Sequence, residues 1–150
     1  MKYWLMKTEP DTFSIDDLRR VGTEPWSGVR NYQARNFMRE MRIGDKVLFY
    51  HSSCDVPGVV GTAAIASEAH PDPTQFERKS DYFDAKSTRE EPRWQLVDVA
   101  FERKLSRTIT LDEIKQQADR LGDFALIRRG NRLSVLPVAA AQWKIILSLE

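Results

Sequence analysis

Trp26-Ser-Gly-Val-Arg-Asn-Tyr-Gln-Ala-Arg-Asn36 sets an aromatic ring, a glycine and an Arg-Asn pair directly ahead of a helix start. Asn31 is able to cap that helix, in which Ala34, Phe37, Met38 and Met41 recur at helical spacing while Arg35, Arg39 and Arg42 take another side. The helix is therefore amphipathic, with an arginine face. Residue types of this kind suit a pocket for a splayed base, which needs an aromatic face to stack on, amide or guanidinium groups for its edges and positive charge for the adjoining phosphate. The same segment equally describes a core tryptophan beside a capped helix, the commoner outcome for such a ring.

Upstream, Tyr3-Trp-Leu-Met6 is a short apolar run that stops at Lys7 and Pro10, as a buried strand does. Ser14-Ile-Asp-Asp17 carries a capping hydroxyl and a carboxylate placed against the dipole of a helix reaching about Val21. Downstream, Gly44-Asp45 ends the arginine-faced helix. Lys46 to Tyr50 and Val59 to Ala66 read as two strands of a hairpin across the turn-prone Asp55 to Gly58. Residues 67–92, with three prolines and little periodicity, predict a long excursion holding one helical turn.

Arg93 to Phe101 is a mostly buried strand, and Thr110-Leu-Asp-Glu113 is a capping box opening a helix through about Arg120. Leu126-Ile127 and Leu133 to Leu136 are strand candidates around a Gly130-Asn131 turn, and Pro137 suits the first turn of a closing helix carrying Trp143, Ile146 and Leu147. Strands and helices interleave without a regular βαβ alternation. The expected class is α+β, a curved or barrel-like mixed sheet flanked by helices, in one domain spanning 1–150.

The 150 residues carry a formal net charge of only +1, so the overall balance forces no partner class. Its distribution is uneven. Arg19 to Arg42 holds six basic residues against two acids, Arg128, Arg129, Arg132 and Lys144 form a second basic cluster, and Ser67 to Glu91 has seven acids against four bases. Two basic segments meeting in space would follow a phosphate backbone; kept apart, they are a solvated surface. The lone Cys54 cannot form an internal disulfide, which fits a reducing compartment, the cytoplasm. No apolar run approaches the ~20 residues of a membrane span, and no signal-peptide core is expected.

Catalytic chemistry finds little footing. His51, His70 and Cys54 show no metal-ligand spacing, and neighbours His51 and Ser52 on a strand point to opposite faces and cannot act as a dyad. Gly58-Val-Val-Gly61 lacks the Lys-Ser/Thr of a phosphate loop. Lys7-Thr8-Glu9 gathers an amine, a hydroxyl and a carboxylate at a strand end, where clefts form; a surface turn has the same composition. No metal, cofactor or membrane partner is expected.

Tyr3-Trp-Leu-Met-Lys-Thr-Glu-Pro10, the Trp26 to Asn36 stretch, Gly44-Asp-Lys-Val-Leu-Phe-Tyr-His-Ser52, Pro92-Arg-Trp94 and Arg132-Leu-Ser-Val135 together resemble the EVE domain family, over essentially the whole chain. The resemblance implies a PUA-like pseudo-barrel of about five to seven strands, related to the YTH and ASCH domains. It further implies a noncatalytic reader of a modified base in DNA or RNA. On that pattern Trp26 is one wall of an aromatic cage, with Tyr82, Phe83 or Trp94 opposing, and Lys7, Thr8 and Glu9 border the pocket. Asn31, Ser52 and the backbone around Gly28 would reach the base edge, while Arg30, Arg35, Arg39 and Arg132 would meet phosphate. The family motif more often has serine at position 8, so Thr8 adds a methyl at the pocket mouth. Two other readings stay open: an amidohydrolase acting on an acylated nucleoside through Lys7, Thr8 and Glu9, and a protein-interaction module.

Overall fold

Both apolar runs that open strands, Trp4 to Met6 and Val47 to Tyr50, are buried without alternation, which requires a sheet covered on both faces. In the computed structural model, which describes residues 1–150, the chain runs β1 (Tyr3–Thr8), α1 (Ile15–Val21), β2 (Thr23–Pro25), α2 (Tyr32–Glu40), β3 (Lys46–His51), β4 (Gly58–Ile65), β5 (His70–Pro71), β6 (Gln95–Leu96), β7 (Asp98–Thr110), α3 (Leu111–Gln116), α4 (Ala118–Leu121), β8 (Val135–Val138) and α5 (Ala140–Leu147). Six strands in the order β2-β7-β4-β3-β1-β8 form a curled half-barrel, and β5 and β6 make a separate pair. β1 lies parallel to β3 and antiparallel to β8.

Period-two geometry divides the strand residues between two cores. Trp4, Met6, Val47 and Phe49 pack with Ile15 and Leu18 of α1 and Ala34 and Met38 of α2. Leu5, Leu48, Tyr50 and Leu136 pack on the other face with Ile114, Leu121 and Ile146 from α3, α4 and α5. Each such aliphatic side chain contributes about 1.5–3 kcal/mol by leaving water. Buried Asp45 ties the sheet's entry together, accepting hydrogen bonds from the Lys2 and Arg42 amides and from the Trp4 indole. Register shifts in β4 against β7 add the curl. No helix is long and apolar enough to cross a membrane.

Four sequence expectations need correction. Leu126 and Ile127 lie in a single 3-10 turn, Ala125–Ile127, not in a strand, so there is no hairpin through Gly130-Asn131; β8 instead pairs with β1. Pro137 sits inside β8 opposite Trp4 rather than opening the last helix, because β8 is a sheet edge where a missing N–H removes no central ladder bond. The helix from Thr110 breaks at Gln117 into α3 and α4, although Thr110 and Glu113 do form the capping box. The strand from Arg93 is also interrupted after Leu96 and then runs to Thr110, hidden in the sequence by the exposed Glu102-Arg103-Lys104 run.

The excursion at 67–92 is ordered by two buried polar residues. Gln75 donates to the carbonyls of Asp72 and Trp94 and accepts from the Ser87 hydroxyl and the Trp94 amide. Asp72 braces a neighbouring cavity through Gly28 and Arg30.

Candidate nucleic-acid interface

A cavity of about 640 Å³ opens where the ends of β1, β2 and β3 meet the excursion and the segment before β8. Trp26 follows β2, its amide still donating to the Val97 carbonyl at 2.9 Å. The residue, only 8% exposed, lines the cavity while its ring is packed in the core, edge-on with Phe49 at 5.6 Å and Phe13 at 6.4 Å. The indole is therefore a fixed floor. Tyr82, reaching in from the excursion, is 41% exposed and lies over Gly28, where a Cβ would stand 2.7 Å from the phenol ring. Gly28 also has φ +90°, a conformation that side chains disfavour.

Asp72, with no exposed side-chain surface, accepts from the Gly28 amide at 2.8 Å, from Arg30 Nη1 at 3.1 Å and from the Thr74 amide and hydroxyl. Burial alone would raise its carboxyl; the hydrogen bonds from Thr74, Gly28 and Arg30 outweigh it and hold the group below the usual carboxylate range. Arg30 also grips the Tyr82 carbonyl through Nε and Nη2 at 3.1 and 2.8 Å. One buried carboxylate thus fixes both the Gly28 turn and the Tyr82 wall.

Lys7, Thr8, Glu9, Ser52 and Arg132 line the same cavity. The Ser52 amide donates to the Thr8 carbonyl at 2.9 Å, which ties the two strand ends. Lys7 places Nζ 5.7 Å from the Tyr50 ring centre, and burial lowers its affinity for its proton. Burial also pushes the Tyr50 phenol up to about 12. Arg132 has no carboxylate partner.

The remaining candidates lie outside the lining. Asn31 spends its side-chain oxygen on the Ala34 amide at 2.9 Å, as helix cap. Trp94 is buried, its indole N–H donating to Asp84 at 2.8 Å and its face stacked by Tyr32 at 4.7 Å. Phe83 is exposed outside the lining, Arg39 is exposed on α2, and Arg35 donates to the Arg93 carbonyl at 2.8 Å while lying over the Tyr32 ring. From the two basic clusters only Arg30 and Arg132 reach the cavity, so no continuous arginine face forms there. Sequence reasoning missed Phe13, Glu24, Ser53 and Ser134 in the lining. For Glu24 a signal existed: it stands two residues before Trp26, hence on the same side of an extended chain.

A curled half-barrel with its cavity at the strand ends defines a PUA-like protein. A sequence profile of the EVE domain matches residues 2–149, and the chain belongs to the EVE domain family. Thymocyte nuclear protein 1 of Mus musculus is 45% identical over 166 residues, covering 99% of this chain and 73% of that protein. A protein from Pseudomonas syringae superimposes with a TM-score of 0.95 at 50% identity, covering 98% of each chain. Human THYN1 protein, solved in complex with 5-methylcytosine-containing DNA, superimposes with a TM-score of 0.95 at 40% identity, covering 99% of this chain and 97% of that one.

Proposed function

We propose that this chain is a noncatalytic reader of 5-methylcytosine in DNA, taking the altered base into the cavity floored by Trp26. The observation that carries the reading is that Trp26, although packed in the core and only 8% exposed, also lines an open cavity. The likeness to the human protein solved with 5-methylcytosine-containing DNA supports the ligand class. Trp26 and Tyr82 supply stacking, worth about 1–3 kcal/mol per base, Thr8 and Ser52 offer hydroxyls to its edge, and Lys7 and Arg132 meet phosphate. Arg30 and the Gly28 amide act indirectly, since Asp72 already engages both.

Binding without catalysis is supported by the state of the reactive groups. Thr8 Oγ1 reaches only the Glu9 backbone carbonyl, at 3.5 Å, and His51 accepts from the Ile15 amide, so neither hydroxyl-base nor imidazole-base activation is set up. The free thiol of Cys54 supports placement in the reducing cytoplasm. Equilibrium titration of oligonucleotides differing only in methylation of one cytosine, at two salt concentrations, tests the reading. The methylated strand binds more tightly, and Trp26→Ala removes the difference. Equal affinity of the wild-type chain for both strands overturns the assignment.

A further inference from the structure

Two carboxylates, Glu9 and Glu24, line the cavity beside Lys7 and Arg132. A site built for phosphate alone gains nothing from carboxylates, which repel the ligand. They must face something else.

Glu24 is the more confined of the two. It is half-buried where Glu9 is exposed, and its side chain makes no hydrogen bond or ion pair within the protein. Burial raises its carboxyl, with Arg20 and Asp17 acting only through space and in opposite directions. Glu24 sits opposite Val99 in the β2–β7 ladder, and the Trp26 amide bonds Val97 two residues further along. Glu24 and Trp26 therefore share one face of the strand, about 7 Å apart along it. That places an unpaired carboxyl beside, rather than over, a base stacked on the indole.

We infer that Glu24 selects cytosine-type over thymine-type bases in this pocket by accepting a hydrogen bond from the exocyclic N4 amine. The inference rests on reading the cavity as a base pocket. 5-Methylcytosine and thymine carry the same methyl at C5, so contact with the methyl cannot separate them. A pocket sensing only that group fills with thymine as readily. What differs is position 4, an amine donor in cytosine and a carbonyl acceptor in thymine. An ionised carboxylate only accepts, so it pairs with the amine and repels the carbonyl. A protonated carboxyl pairs with thymine as well, accepting from N3–H and donating to O4, so the selection belongs to the ionised form. Sites built to hydrogen-bond a polar group reject analogues lacking it far better than apolar sites reject a missing methyl.

The test is a two-by-two panel of cytosine, 5-methylcytosine, uracil and thymine at one position of an oligonucleotide. Each stands opposite an abasic site, so that no base pair has to be opened. Titration of the full chain separates an amine effect (cytosine over uracil, 5-methylcytosine over thymine) from a methyl effect (5-methylcytosine over cytosine, thymine over uracil). The wild type shows an amine effect of roughly tenfold or more, matching one hydrogen bond to a charged group. Glu24→Gln, whose amide turns to donate to a carbonyl, reduces it to about threefold or less and leaves the methyl effect intact. Thermal melting checks that the variant folds; if it does not, Glu24→Asp carries the same comparison, with a reduced amine effect. An unchanged amine effect in a folded variant overturns the inference, as does its absence in the wild type. A missing methyl effect in the wild type overturns instead the reader proposal itself, and the amine effect still scores Glu24.

Discussion

Tyr82 and Trp26 face the same cavity but carry different structural duties. Tyr82 is 41% exposed, so Tyr82→Ala removes about 1–3 kcal/mol of base stacking while the melting temperature stays nearly unchanged. Trp26 packs on Phe13 and Phe49, and its truncation costs about 3–5 kcal/mol of stability as well as binding. Parallel titration and melting of the two variants distinguish these outcomes. Gly28→Ala belongs with them: a side chain at φ +90° costs about 1–3 kcal/mol, and the new Cβ, 2.7 Å from the Tyr82 ring, displaces the wall. Loss of affinity therefore accompanies the lowered melting temperature, although Gly28 itself offers the base no side chain.

At the element scale, α1 begins under an unusual cap. The Ile15 amide donates to His51 Nε2 at 3.1 Å, which requires that nitrogen to be unprotonated. Burial lowers the imidazole below its ordinary range; Asp16 pulls it back up and Lys104 lowers it further. The unfolded chain then binds the proton more readily than the folded one. The stability held by this contact is full above about pH 6.5 and is lost as pH falls toward the depressed folded value. Melting between pH 8 and pH 5 reveals the loss, and His51→Gln flattens that part of the profile. A second element-scale device is Asp72, which couples the Gly28 turn to the excursion. Asp72→Asn strands Arg30, costs about 3 kcal/mol and loosens Tyr82, so affinity falls in a variant that leaves every cavity-lining residue unchanged. Denaturant unfolding and titration of this one variant check both halves.

For the molecule as a whole, charge placement sets how strongly salt weakens binding. Lys7 and Arg132 line the cavity without carboxylate partners, whereas Arg30 is paired with Asp72 and Arg35 is spent on Arg93. Two phosphate contacts give a log–log salt slope of about −2, and Lys7→Ala or Arg132→Ala each lowers its magnitude by about one. A wild-type slope near −5 would instead require the whole arginine face to engage DNA. Strands β1, β3 and β4, the Thr110–Glu113 capping box and the Ser14 and Asn31 caps were legible in the sequence, because periodicity and capping act among residues within one turn or one strand. Of the Trp26 to Asn36 stretch, only Trp26 to Arg30 line the cavity. Pro137 in a strand and the break at Gln117 were not legible, since an edge position and packing across the sheet override local preference. Thus the sequence by itself determined most of the elements and the family. Tertiary structure alone decided which cations remain free: Asp72 reaches Arg30 from 42 positions away, and charge patterning along a chain says what a side chain can bind but not which partner arrives there.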